Sequence, residues 1–284
     1  MEITSELIKR LREKTGAGMM DCKRALEASN GEIDQAIEFL RKKGAALAQK
    51  RADRSAKEGV IVARVSPDAR HGILIEVNCE TDFVAKSEDF VGFANLVADA
   101  IAGVTTTDAS SVHTLVAANG KSVGDLLSDI LAKVGEKIEI RRIRRIDATN
   151  GFISSYVHLG AKIGVLVELE GTGPDEAGAT LGRNIAMQVA AMNPIVVSRD
   201  QISAEMVARE LEIYKTQATN EGKPSQIIER IAQGKLEKFY EEVCLTEQTY
   251  IKDSGKTIKE ILAGPVEGKG VTIQRFERLH LGEE

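Results

Sequence analysis

Tryptophan is absent from this chain of 284 residues, and the other aromatic residues are scarce, with seven Phe and four Tyr. Stacking platforms for nucleobases or sugar rings are therefore few. An excess of basic residues is also lacking, because 43 Asp and Glu outnumber 38 Lys and Arg and leave a net charge of −5. This charge argues against a general nucleic-acid coat, which needs a basic surface to hold phosphates.

Cysteine is equally sparse. The three cysteines, Cys22, Cys79 and Cys244, are far apart in the sequence and form no CxxC motif. This pattern is typical of reduced thiols rather than of a disulfide framework. No apolar run reaches the ~18 residues of a membrane span, and the acidic start of the chain is unlike a signal peptide. We therefore expect a cytoplasmic protein with no membrane association.

Signatures of catalysis and of metal binding are missing as well. The sequence contains no HExxH helix and no GxSxG turn. The segment 264–270 resembles a phosphate-binding loop, but it has three spacer residues where four are needed and no Ser or Thr after its Lys. The histidines share no ligand spacing with the cysteines: they are His71, His113, His158 and His280. We expect no metal, no cofactor and no enzymatic activity.

Helical periodicity dominates the first fifty residues. Apolar residues recur at helical spacing in three short segments, with Thr4 as the predicted N-cap of the first. This spacing predicts a small three-helix domain over residues 1–52 and a linker at 53–58. We interpret the basic stretch 41–57 as a solvated linker helix rather than a phosphate-binding segment, because no aromatic residues interleave its charges.

A strand–strand–helix unit follows and then recurs. Segments beginning at residues 59, 72 and 93 match segments beginning at 151, 164 and 185, so all three correspondences share an offset of 92 residues. A common offset indicates a tandem duplication. We therefore predict an α+β fold in which a duplicated core, subdomain N at 59–146 and subdomain C at 147–201 and 244–284, follows the helical domain.

Residues 202–243 interrupt the second copy. Apolar residues there step by three and four positions, as in a coiled-coil seam, and residues 220–224 form a turn signal. With Ser203 as a predicted N-cap, this pattern indicates an antiparallel helical hairpin inserted into the core. Such a hairpin is typically a packing or partner-contact device.

A phenylalanine marks the loop between the second strand and the first core helix. The loop reads Thr81-Asp82-Phe83-Val84-Ala85-Lys86, and at the common offset its sister reads Gly173-Pro174-Asp175-Glu176-Ala177-Gly178. The sister loop makes the same passage without an aromatic residue, so the fold does not require Phe83. We interpret Phe83 as a residue that inserts into a partner. The alternative is a loop Phe packed on its own core.

Two motifs carry a family resemblance. They are Thr15-Gly16-Ala17-Gly18-Met19-Met20-Asp21-Cys22-Lys23 and Thr81-Asp82-Phe83-Val84-Ala85-Lys86, and His158-Leu159-Gly160-Ala161-Lys162 adds a third match. All three resemble sequences of the elongation factor Ts family, the guanine nucleotide exchange factors of elongation factor Tu. The order of parts, a small helical domain and a duplicated core with an inserted hairpin, is similar to that family too.

The resemblance implies a partner and a binding surface. It implies a ubiquitin-associated-like fold for the N-terminal domain, which would dock on the G domain of elongation factor Tu. It also implies that Asp82 and Phe83 intrude near the magnesium and phosphate site of that partner. For Met19 and Met20, core packing of the small domain is an open alternative. The implied partner-binding residues are Thr81, Asp82, Phe83 and Val84, with Met19, Met20 and His158 as further candidates.

Two other functions remain open from the sequence. An RNA-binding translation accessory protein would use the basic segments 41–57 and 141–145, although charge guarding an exposed edge strand explains the second segment as well. A redox-linked thiol protein would need at least one cysteine that is exposed and acidic. Under the exchange-factor interpretation we expect no direct contact with nucleic acid.

Overall fold

The computed structural model describes residues 3–51, 53–264 and 270–283, and its helices and antiparallel sheets confirm the α+β class. Three helices come first: α1 (Ser5–Thr15), α2 (Met19–Ala28) and α3 (Ile33–Lys50). Thr4 caps α1 as predicted, since its Oγ1 accepts a hydrogen bond from the Leu7 N–H at 3.2 Å. Leu11, Cys22, Ala25, Leu26 and Ala36 are fully buried among these helices.

The third helix is longer than the sequence pattern indicates. It continues to Lys50, so residues 41–50 of the basic stretch are helical as predicted, but they extend the third helix and do not form a separate linker helix. Arg41 forms ion pairs with Asp129 at 3.3 Å and with Asp125 at 3.7 Å, both on helix α6 (Val123–Val134). The prediction that the charges of this stretch are solvated is therefore wrong for Arg41. These acidic partners are distant in sequence, and a local charge pattern does not reveal them.

The first half of the core is a three-stranded antiparallel sheet. Its strands, in the order β1-β2-β3, are β1 (Glu58–Val65), β2 (His71–Cys79) and β3 (Ile138–Asp147). Helices α4 (Asp82–Ala85), α5 (Glu88–Ala102) and α6 connect β2 to β3. Ile73, Ile75 and Val77 pack against α5 and α6, since alternate residues of a strand share a face.

The second half repeats this plan. Its strands, in the order β4-β5-β8, are β4 (Phe152–Val157), β5 (Ile163–Glu170) and β8 (Thr272–His280). Helix α7 (Glu176–Met192) covers this sheet as α5 covers the first. Equal strand order and equal pairing in the two sheets agree with the duplication predicted from the common offset.

The two sheets pack face to face through a small apolar cluster. Ile61, Leu74 and Ile146 of the first sheet meet Ile153, Leu166 and Leu279 of the second. Ile153 and Leu166 lie 92 positions after Ile61 and Leu74, so each half contributes the same surface. The core is thus four layers deep, with helices outside and sheets inside, and the loops at the ends of the sheets are left at the surface.

The insertion is an antiparallel pair of helices, α8 (Ala204–Asn220) and α9 (Ser225–Val243). Ser203 caps α8 as predicted, because its Oγ accepts the Met206 N–H at 3.2 Å. Between α9 and β8 lie three elements that the sequence pattern did not indicate: β6 (Thr249–Tyr250), β7 (Asp253–Thr257) and α10 (Ile258–Ala263). Within the described ranges, no helix is long and apolar enough to cross a membrane. Residues 265–269 of the loop weighed for phosphate binding lie outside those ranges.

Candidate functional site: an exposed phenylalanine on a capped turn

The connection from β2 to α5 is a single helical turn, α4, and not an open loop. Thr81 is its N-cap, and the Thr81 Oγ1 accepts the Val84 N–H at 3.4 Å. Ser87 begins the next helix in the same way, accepting the Phe90 N–H at 3.3 Å. Two N-caps so close together leave room for one turn only. The turn therefore has a defined conformation that follows from its own sequence.

Phe83 lies on this turn with its side chain in solvent. Its side chain is 83% exposed, whereas Ala85 is buried and Val84 packs against the core of the first sheet. The turn is thus anchored by its following residues while its largest apolar group faces solvent. This exposure rules out the alternative in which Phe83 packs on its own core. The exposed ring is therefore accessible to a partner.

Asp82 lies beside Phe83 as a charged group. Its Oδ2 accepts a hydrogen bond from the Lys86 ammonium at 2.7 Å. This hydrogen bond holds the pKa of Asp82 below its ordinary value, and the charges of Lys86 and Lys162 add to the effect. The carboxylate is therefore ionised at neutral pH, where it also favours the N-terminal end of the short helix.

The turn between β4 and β5 packs against β1, the strand that α4 also contacts. The carbonyl of Ala161 in this turn accepts the Ile61 N–H of β1 at 2.7 Å. Lys162 pairs with Glu58, at the start of β1, at 3.1 Å. These bonds fix the turn of the second half against the edge of the first half. The structure thus brings residues 158–162 and the Phe83 turn, separated in sequence, into one region of the surface.

Leu159 is the residue that sequence reasoning did not single out. Its side chain is 93% exposed at the tip of the β4–β5 turn. The neighbouring His158 is also exposed, and its Nδ1 lies 2.9 Å from the Tyr156 hydroxyl. The sequence does contain one indication that Leu159 is exposed. It is an apolar residue directly before Gly160 in a turn, a position where polar residues are common. Leu159 joins His158 as a candidate contact.

Met19 and Met20 begin α2, in the N-terminal domain and away from the core sheets. Their side chains are 47% and 64% exposed, while Cys22 and Leu26 of the same helix are buried. Core packing, the alternative for the two methionines, is therefore wrong. Both sulfur-containing side chains are available for an adaptable contact.

The arginine-rich strand β3 is engaged with carboxylates of the same chain. Arg142 donates its Nε–H to the buried Glu76 at 2.6 Å, and Arg145 donates to Asp147 at 2.9 Å. Arg144 lies 3.6 Å from Glu277. Groups committed to carboxylates are poorly placed to bind phosphates, so the structure offers no support for RNA binding by this strand.

The three cysteines are buried, and burial raises their pKa values. The pKa of Cys79 rises to about 12 and that of Cys244 to about 11, and the pKa of Cys22 is raised as well. A redox role needs an exposed, acidic thiol, so this hypothesis is wrong. No group of His, Cys, Asp and Glu that could hold a metal ion occurs among the residues that the structure describes.

Comparison with known proteins agrees with the motifs. The model of the family described as Elongation factor TS matches residues 80–283. The chain is 46% identical to elongation factor Ts of Prosthecochloris aestuarii over 286 residues, which cover 99% of each chain. It is 43% identical to that of Chloroherpeton thalassium, covering 100% of this chain and 99% of the relative. Identity to that of Clostridium perfringens is 41%, covering 99% and 93%.

Proposed function

The chain belongs to the elongation factor Ts family, and we propose that it binds elongation factor Tu and promotes release of GDP. Its role in translation elongation follows from the family. The finer mechanism rests on one observation, the 83% exposed Phe83 on an anchored, capped turn. The protein would act as an exchange factor that changes binding equilibria and makes or breaks no covalent bond.

Phe83 is the proposed wedge. Burial of one Phe side chain contributes roughly 1.5–3 kcal/mol, and each tenfold weakening of nucleotide binding needs roughly 1.4 kcal/mol. Insertion of Phe83 thus accounts for roughly one to two powers of ten in GDP affinity. Any larger effect requires further contact area from the same complex.

Asp82 would enter the same crevice as a negative charge. A G protein holds its nucleotide through a magnesium ion and through backbone amides around the phosphates. A carboxylate brought near that site competes for the cation and repels the phosphates. Before the complex forms, the half-exposed side chain of Asp82 is paired with the Lys86 ammonium at 2.7 Å, so this ion pair must open for Asp82 to act on the partner.

Two more surfaces would supply the remaining contact. The turn bearing His158 and Leu159 and helix α4 both lie against β1, so the same partner can cover both. Met19 and Met20 would make a separate contact from the N-terminal domain, which we propose spans residues 1–52. Contacts at separate points of one partner add their free energies without an added cost of association.

The coupling between the two ligands is reciprocal. Whatever factor the protein removes from GDP affinity, GDP removes from the affinity of the protein for elongation factor Tu. The protein would therefore accelerate release without selecting the nucleotide that binds next.

A release assay tests this proposal. Elongation factor Tu is loaded with a fluorescent GDP analogue and chased with excess unlabelled GDP at increasing concentrations of the protein. We expect the release rate to rise and then to saturate, and excess GDP to dissociate the isolated complex of the two proteins. A release rate that stays at its unassisted value at all concentrations would contradict the proposal.

A further inference from the structure

The Phe83 turn is held from outside by one carboxylate. Glu136 lies in the connection between α6 and β3. Its Oε1 accepts the Thr81 hydroxyl at 2.7 Å, and its Oε2 accepts the Thr81 N–H at 3.0 Å. Thr81 is the N-cap of α4, so both donors of the residue that begins the turn are bound to the same side chain. Charge-assisted hydrogen bonds of this kind are the stronger ones.

A second carboxylate makes the reverse contact. Glu80, directly before Thr81, accepts the Lys137 N–H at 2.6 Å, and the Arg54 guanidinium lies 3.1 Å from it. These hydrogen bonds, that of the Lys137 N–H first, hold the pKa of Glu80 below its ordinary value. Two neighbouring residues of the turn thus bind two neighbouring residues of the α6–β3 connection. Glu80 accepts a hydrogen bond from Lys137, and Thr81 donates two to Glu136.

The other half of the core lacks these groups. At the offset of 92 residues, Glu80 and Thr81 correspond to Thr172 and Gly173. The final strands of the two halves, β3 and β8, are related by an offset of 133 residues, as from Arg142 to Arg275. At this offset, Glu136 corresponds by sequence to Lys269. At these corresponding positions, the sister half therefore has no carboxylate in place of Glu80 or Glu136 and no threonine in place of Thr81. Glu80 and Glu136 therefore occur only in the half that contains Phe83, so the fold shared by the two halves does not require them.

We propose that Glu136 is a positioning residue for Phe83: it holds the N-cap Thr81 so that the aromatic ring is presented in the orientation needed for insertion. This inference rests on the proposed exchange function. Ordering a mobile turn at the moment of insertion costs conformational entropy, and a turn ordered in advance avoids that cost. Glu136 thus acts on nucleotide release through Phe83 and touches no nucleotide.

A double-mutant cycle tests the inference. The saturating rate of GDP release from elongation factor Tu is measured for wild type, Glu136→Ala, Phe83→Ala and the double variant. We expect Glu136→Ala to slow release at least about fivefold, because the variant loses two charge-assisted hydrogen bonds and one ordinary hydrogen bond alone contributes about 1 kcal/mol. In the Phe83→Ala background the same change should have less than a twofold effect, since there is no ring left to position.

Conservative and control variants separate positioning from general damage. Glu136→Gln keeps an oxygen for the Thr81 N–H and an amide that can donate to the Thr81 hydroxyl, so it should retain most of the rate. Glu139→Ala removes the same charge three residues away, where the carboxylate lies 3.4 Å from the Lys137 ammonium, and should leave release unchanged. If Glu136→Ala does not fold, Glu136→Asp replaces it, because the shorter side chain cannot reach both Thr81 donors.

The possible outcomes are distinguishable. Equal slowing by Glu136→Ala with and without Phe83 would overturn the positioning role, and so would an unchanged rate where Phe83→Ala alone slows release. A Glu136→Gln variant as slow as Glu136→Ala would also count against it, because the hydrogen bonds would then not matter. If Phe83→Ala itself leaves release unchanged, the insertion proposal fails, and the positioning role fails with it.

Discussion

Glu76 and Glu168 are buried at the same β-bulge of the two central strands, 92 positions apart in the sequence. Each carboxylate faces the other sheet and accepts an arginine Nε–H, from Arg142 at 2.6 Å and from Arg275 at 2.8 Å. Buried charges need partners of this kind, since an unpaired carboxylate between the sheets would be strongly destabilising. The duplication has therefore preserved an ion pair as well as a fold.

The two arginines also join the halves. Arg142 donates to the carbonyl of His280, the last residue of β8, at 2.9 Å. Arg275 donates to the carbonyl of Asp147, the last residue of β3, at 2.9 Å. Each half thus holds the end of the final strand of the other, and the two contacts are equivalent.

The two ion pairs should differ in strength. The side chain of Arg142 is 17% exposed and that of Arg275 is 53% exposed, so solvent replaces the second arginine more easily. Arg142→Met should lower the free energy of unfolding by about 3 kcal/mol, because the buried Glu76 loses its closest cation and keeps only the Gly282 N–H at 3.2 Å and the more distant Arg141 guanidinium at 3.7 Å. Arg275→Met should cost less than half of that. Urea unfolding measures both values, and equal or reversed losses would contradict this ranking.

Gly164 allows the sheets to approach each other. A Cβ atom at this position would lie 2.5 Å from the Cγ2 of Ile61. Gly164→Ala should therefore lower stability by about 1–3 kcal/mol through overpacking. Gly92, on the exposed side of α5, is the matched control because a Cβ there meets nothing within 4 Å. Gly92→Ala should raise stability by up to about 1 kcal/mol. Thermal unfolding checks the two signs, and a shift in the same direction for both would refute the close-packing argument.

The buried thiols predict a loss of stability at alkaline pH. The ordinary pKa of a thiol is 9.0 here, and burial raises that of Cys79 to about 12. Between these values the folded chain keeps the Cys79 proton and the unfolded chain releases it, so the free energy of unfolding falls as pH rises above 9. Cys79→Ala removes this contribution. Its stability should decline less steeply than that of wild type from about pH 9 to 11 in urea titrations, and parallel curves would be the contrary result.

Several parts of this structure were predictable from local pattern. The common offset predicted the duplicated core because equal folds keep equal spacing. Thr4 and Ser203 were correct N-caps, since capping depends on the neighbouring residues alone. The comparison of Phe83 with its sister loop correctly indicated an exposed ring, because the second half served as an internal control for what the fold requires.

The remainder depends on contacts between residues that are distant in sequence. The pairing of Arg142 with Glu76 and that of Arg41 with Asp129 join separate elements, and both arginines lie in stretches that look solvated. The elements β6, β7 and α10 are too short to show periodicity. Glu136 has no motif of its own and gains significance only from its contact with Thr81.

The central claim is that Phe83 drives part of nucleotide release by insertion into elongation factor Tu. The direct test is the rate of GDP release at saturating concentrations of Phe83→Ala, with Val116→Ala as control because Val116 is another exposed apolar side chain. We predict that Phe83→Ala folds normally and slows saturated release by roughly ten- to a hundredfold, the factor equivalent to roughly 1.5–3 kcal/mol. Some stimulation should persist, and Val116→Ala should behave as wild type. Release by Phe83→Ala at the wild-type rate would contradict insertion of Phe83 into the partner.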